Sequence, residues 1–118
     1  MEENNLIKKD ILEKTAKEYF QSGIEELNKR RFNSAVVLFF KSLVALSDLF
    51  ILQNTGETPS SHTDRFRIVQ NEFPEIYNLL DKDFPFYQDS YSVLMSKELA
   101  EVIKEDARKI AEKTKTKL

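Results

Sequence analysis

The longest apolar pattern in the chain runs from Ala35 to Leu52. It reads AVVLFFKSLVALSDLFIL, and 14 of its 18 residues are apolar. A helix on a globular surface carries one apolar stripe and one polar face. This segment is apolar almost all round, so as a helix it has to be covered on more than one side, by its own chain and by a second copy. Its polar exceptions are ordered: Ser34, Lys41 and Asp48 are spaced by seven, which sets them along one narrow line of a helix. The run is near the length of a membrane span. Lys41 and Asp48 lie inside it, however, and each is expensive in a bilayer. The pattern is that of a buried helix in a protein without a membrane role.

Upstream, Leu12, Ala16, Tyr19 or Phe20, Gly23 and Leu27 recur at three- and four-residue intervals, and Ile7, Ile11 and Ile24 widen the same face. This predicts a first helix, capped by Asn4 or Asn5. Glu2, Glu3, Asp10 and Glu13 crowd its early turns and Lys29, Arg30 and Arg31 its far end, as the helix dipole favours. Gly23, inside the apolar face, predicts a close backbone approach by a neighbour. The break Arg31-Phe32-Asn33-Ser34 is short, with Asn33 or Ser34 starting the second helix, and a connection this short forces an antiparallel hairpin. Gly56 stops the second helix, inside the loop Gln53 to Ser61.

The second half is less regular. Ser60, Ser61 or Thr63 caps a short helix carrying Phe66, Ile68 and Val69, and Pro74 ends it or opens the next piece at its first turn. Ile76, Tyr77, Leu79 and Leu80 make a brief amphipathic turn or two. Asp83-Phe84-Pro85-Phe86-Tyr87 reads as an aromatic loop, because Pro85 biases Phe84 away from helical geometry. A last helix begins near Ser96, with Leu99, Val102, Ile103, Ala107 and Ile110 as its stripe. Residues 112–118 form a basic tail expected to fray.

Composition narrows the classes. A length of 118 residues fits one domain, 1–118, with a real core. Two glycines and three prolines build few turns, so many short strands are excluded and an all-α fold is expected. A net charge of −2 gives no basic field that calls for nucleic acid. The absence of cysteine removes disulfides, thiolate zinc sites and a Cys nucleophile. With no signal peptide in view, the expected location is the cytoplasm. No glycine-rich phosphate loop, paired-histidine zinc motif or calcium loop is present, so no cofactor or metal is expected.

Residues 16–43 also fit part of the tetratricopeptide pattern: Gly23, Ala35, Phe39 and Ser42 fall near its small and aromatic positions. A solenoid needs about three stacked copies, and no second copy follows. The match is shared hairpin physics, with a helical adaptor as one functional alternative.

The order of features resembles the HEPN superfamily, from about Ala16 to Ala111. A helix, a basic tight turn and an alanine- and aromatic-rich second helix follow one another in AKEYFQSGIEELNKRRFNSAVVLFFKSLVALSD. TPSSHTDRFRIVQ places a histidine at the entry to a short helix after a Ser/Thr/Pro loop. FPFYQDSYSV is similar to the Arg…Ala-Asp-Tyr segment of members that partner minimal nucleotidyltransferases, with Asp89-Ser90-Tyr91 or Ser90-Tyr91 in the place of Asp-Tyr. The resemblance implies an up-and-down antiparallel bundle of four or five helices. It also implies a homodimer through the long helices, which would cover the excess apolar surface of the second one. Val37, Phe40, Val44 and Ile51 are the candidate interface residues. The implied role is non-catalytic binding of a partner, such as a minimal nucleotidyltransferase in a toxin–antitoxin pair. The family's ribonucleases carry an arginine followed by about four to six residues and a histidine on a late helix. Here the only histidine, His62, precedes Arg65 and Arg67, and Arg108 has no histidine partner, so the family's nuclease motif is missing.

Several side chains remain as candidate chemistry. His62 titrates near neutrality, and with Arg65 and Arg67 a turn away it is the candidate for anion or phosphate binding. In the alternative reading as a metal-independent ribonuclease, it would be the acid and base on RNA. Lys41 and Asp48, about 10 Å apart along a helix, are candidates for a polar groove lining or for ion pairs with another helix. Lys29, Arg30 and Arg31 form a basic knuckle at a helix end, a setting that attracts such residues anyway. Tyr77, Phe84, Phe86, Tyr87 and Tyr91 are aromatics that either stack on bases or close the core. Tyr91 is also a candidate ligand contact.

Overall fold

The computed structural model describes residues 2–118. Five helices follow in order: α1 (Glu3–Asn28), α2 (Phe32–Thr55), α3 (His62–Glu72), α4 (Pro74–Asp89) and α5 (Lys97–Thr114). They form an all-α up-and-down bundle with no strand among the described residues.

The apolar segment is α2, and it is the axis of the molecule. Val36, Phe39, Leu43, Leu46 and Leu49 have no exposed surface. α1 covers one side, α5 another, and α4 part of a third. α2 is long and apolar enough to cross a membrane, yet 67% of its most apolar window is buried within the chain itself. Its inward polar residues are satisfied locally: Ser42 Oγ donates to Ala16 O at 2.8 Å, linking α2 to α1, and Ser47 Oγ donates to Leu43 O at 2.8 Å. Each such bond contributes about 1 kcal/mol, and leaving the hydroxyl unpaired would cost more.

The α1–α2 hairpin closes as its short connection requires. Gly23 lies against the buried ring of Phe39; a Cβ on it would fall 2.6 Å from Phe39 Cε1. α1 ends in a double cap: Arg31 N donates to Glu26 O at 2.9 Å and Arg30 N to Leu27 O at 3.0 Å, with Arg30 in the left-handed region (φ 60°) where glycine is usual. None of Asn4, Asn5 and Asn33, the asparagines expected at helix starts, is an N-cap, a position taken by Glu2 and Arg31. Asn5 Nδ2 donates to Gly56 O at 2.8 Å, tying the start of α1 to the end of α2. Asn33 donates to Ser90 O and Val93 O and accepts from Met95 N, which fastens the α4–α5 loop over the start of α2. Gly56 ends α2 at φ 79°, its N–H returning to Leu52 O at 2.9 Å.

α3 is capped by Ser61, which accepts from Asp64 N, and α5 by Ser96, which accepts from Leu99 N. Pro74 opens α4 at its first turn, where a missing N–H costs nothing. The aromatic segment Asp83–Tyr87 is not a loop but the last turns of α4, with Pro85 inside the helix. An interior proline costs about 3 kcal/mol. Tertiary packing outweighs it: Leu80 and Asp83 are fully buried, and Phe84 and Tyr87 lie on Phe40. At the far end, Thr114 is buried, its Oγ1 donates to Ala111 O, and Leu118 packs on the core.

Candidate functional site

On the line of residues spaced by seven on α2, Ser34 and Lys41 are exposed and Asp48 is half-buried under Arg65 of α3. Lys41 and Asp48 both line one cleft of about 480 Å³ between the hairpin and the α3–α4 pair. α1 contributes Leu12, Thr15 and Tyr19. α2 adds Phe40, Val44 and Ala45, α3 adds His62 and Arg65, and α4 adds Phe84 and Tyr87.

The polar end of the cleft is tightly knitted. Arg65 forms a two-pronged pair with Asp48, Nε to Oδ1 at 2.6 Å and Nη2 to Oδ2 at 3.0 Å. Only 14% and 15% of the two side chains remain exposed, so this pair is shielded far better than an ordinary surface pair. The third guanidinium nitrogen, Nη1, lies 3.2 Å from His62 Nδ1. Because a guanidinium only donates, His62 accepts at Nδ1 and carries its proton on Nε2. The ring is wedged beside Phe84 at 4.5 Å and Phe66 at 4.8 Å between centroids. Burial against these rings, and then the Arg65 charge, push the His62 pKa below its ordinary value, outweighing the opposite pull of Asp48. His62 is neutral at neutral pH.

The aromatic end is a stack. Phe40 and Tyr87 lie nearly parallel at 4.8 Å, with Phe84 at 6.0 Å from Phe40. Tyr87 Oη and Tyr91 Oη are 3.2 Å apart, so Tyr91 stands at the rim, 77% exposed. Lys41 Nζ sits 5.8 Å from the centre of the Tyr19 ring. It is in no ion pair among the described residues.

The structure therefore brings four sequence candidates, Lys41, Asp48, His62 and Arg65, into one cleft, with Tyr91 joined through Tyr87. Arg67 stands apart: it pairs with Asp64 at 2.6 Å on the exposed side of α3. Of the interface candidates, Phe40 and Ile51 are 3% and 1% exposed, already covered by their own chain. Val37 and Val44 are half-buried, and Val44 lines the cleft. No three His, Asp or Glu side chains converge as a metal site among the described residues.

A second polar cluster lies between α4 and α5. Asp83 of α4 and Asp106 of α5 are 0% and 2% exposed. Neither oxygen of Asp83 meets a donor from the rest of the protein. Lys82 Nζ lies 2.8 Å from Asp106 Oδ2 and 3.9 Å from Asp83 Oδ1, and Lys109 Nζ lies 3.6 Å from Asp106 Oδ1. Burial, and then the hydrogen bond and charge of Asp106, push the Asp83 carboxyl up to about 8, against the pull of Lys82 and Lys109. A carboxyl raised that far is largely neutral at neutral pH. Both residues sit in the register of apolar stripes, after Ile76 and Leu80 and after Ile103. A carboxyl at a core position was the available signal.

The fold and the cleft define a small helical bundle with a preformed pocket that is charged at one end and aromatic at the other. No protein-family model matches this chain, and no curated protein matches it.

Proposed function

We propose that the chain is a non-catalytic helical protein of the HEPN-like kind, working in the cytoplasm by binding. The partner implied by the resemblance is a minimal nucleotidyltransferase in a toxin–antitoxin pair. The observation that carries this reading is the engagement of Arg65. The ribonuclease alternative needs Arg65 or Arg67, beside His62, to be free for the phosphate. Arg65 is already held by Asp48 on two nitrogens and by His62 on the third. Arg67 is held by Asp64.

A surface suited to a protein partner lies at the hairpin end. The α4–α5 loop, fastened by Asn33, presents Val93 and Leu94 at 54% and 91% exposure beside Tyr91. A contiguous exposed apolar patch of this kind marks interaction sites. In a homodimer of this protein, Phe40 and Ile51 stay in their own core and the half-exposed Val37 is available for contact.

Incubation of RNA with the purified protein and with His62→Ala tests the reading. No cleavage by either is the expected outcome, with co-purification from the native cell recovering a nucleotidyltransferase. Cleavage by the wild type that His62→Ala abolishes would overturn it in favour of the ribonuclease.

A further inference from the structure

We infer that the cleft binds a small, flat aromatic monoanion of the carboxylate class. The inference rests on the reading of this cleft as a site that binds rather than reacts, and it deepens that reading by naming the ligand's chemistry.

Size sets the first limit. About 480 Å³ lies in the range of clefts that hold ligands of one to a few rings. The walls set the second. Tyr19, Phe84 and Tyr87 all line the cleft, the last two packed on the buried Phe40, so an aromatic ligand meets aromatic surface there. The Phe40–Tyr87 stack is already formed within the chain, so a ligand does not have to order it, which lowers the cost of binding.

Charge sets the third limit. Asp48 and Arg65 neutralise each other and are held rigidly. Lys41 alone is left without a counter-ion, so the cleft carries one net positive charge. An ammonium is a flexible point charge with three donors, suited to a single carboxylate. A phosphate dianion needs more positive charge than the cleft offers, because the Arg65 charge is already neutralised by Asp48. A cationic ligand would meet Lys41 as a like charge. The neutral His62 ring, with its proton on Nε2, supplies one donor without adding charge.

Fluorescence titration at pH 8 with naphthoate as the probe tests the assignment. Naphthalenemethanol serves as its neutral analogue and adenosine monophosphate as an aromatic dianion. The expected result is saturable binding of one naphthoate per chain, weakened about tenfold by Lys41→Met. Naphthalenemethanol should bind more weakly and equally to both proteins. Lys41 is exposed, so the variant folds as the parent does. Equal binding of naphthoate and naphthalenemethanol would overturn the assignment. So would tighter binding of adenosine monophosphate, or no saturable binding at all. The titration contains neither RNA nor a partner protein. Its failure therefore leaves the non-catalytic reading standing, and RNA cleavage would overturn that reading whatever naphthoate does.

Discussion

Gly23 shows how much one missing methyl group can hold in place. Replacing it by alanine gains about 1 kcal/mol of helix propensity. The added Cβ would, however, fall 2.6 Å from Phe39 Cε1, and Phe39 is fully buried with Phe20 against it at 5.4 Å. The ring has nowhere to retreat, and overpacking a closed core costs about 1–3 kcal/mol. The overlap wins. Gly23→Ala is expected to lower stability by up to about 2 kcal/mol, measured by urea unfolding; an increase would mean the hairpin is looser than described. This contact was legible in the sequence, because a glycine inside an apolar stripe has few other uses. The roles of Asn5 and Asn33 were not legible. An amide near a helix start reads as a cap, and only the folded chain shows it spanning to Gly56 or to the α4–α5 loop.

At the scale of elements, helix starts and stops differ in how plainly they are written. Gly56 announces the end of α2. α1 and α5 end in the same left-handed geometry, at Arg30 and Lys115, but a basic residue at a helix end carries no such announcement. α4 was harder still. Pro85 argued for a loop, and Asp83 interrupted the apolar register of Ile76, Leu80 and Phe84, so the helix was hidden twice. The buried acid that hid it also has a consequence. Between the ordinary carboxyl value of 3.8 and its folded value of about 8, Asp83 keeps a proton in the folded chain that the unfolded chain has released. The folded state then binds more protons, so stability falls as pH rises through that window. Of the groups facing Asp83, Asp106 adds to this fall, while Lys82 and Lys109 soften it and do not reverse it. Asp83→Asn, which keeps a donor for Asp106, is expected to be more stable than the parent at pH 8 by about 1–3 kcal/mol. Thermal unfolding across pH 5 to 9 should show a flatter profile for the variant. An unchanged slope would mean that Asp83 is not the group that holds the proton.

At the scale of the molecule, the central helix was readable as a buried helix covered on several sides, and the cleft only in part. AVVLFFKSLVALSDLFIL demanded cover, and α1, α4 and α5 supply it. The spacing of Lys41 and Asp48 set apart two residues that line the cleft. What the sequence could not place was α3: that Arg65 reaches Asp48 across seventeen residues, while Arg67 turns to Asp64, depends on where the Gln53–Ser61 loop sets the short helix down. The aromatic wall was equally out of reach, because Phe84 and Tyr87 join it only as part of α4. The account depends on this convergence, with Arg65 clamped by Asp48 and a neutral His62 beneath it. The chain has a single histidine, so its ring resonances report on the cleft without ambiguity. An NMR titration of His62 in the folded protein measures the claim most directly. The account predicts a midpoint below 6.5, with the neutral ring protonated at Nε2, rising to about 6.5 when the chain is unfolded in urea. A folded midpoint at or above 6.5, or a neutral ring protonated at Nδ1, would contradict it.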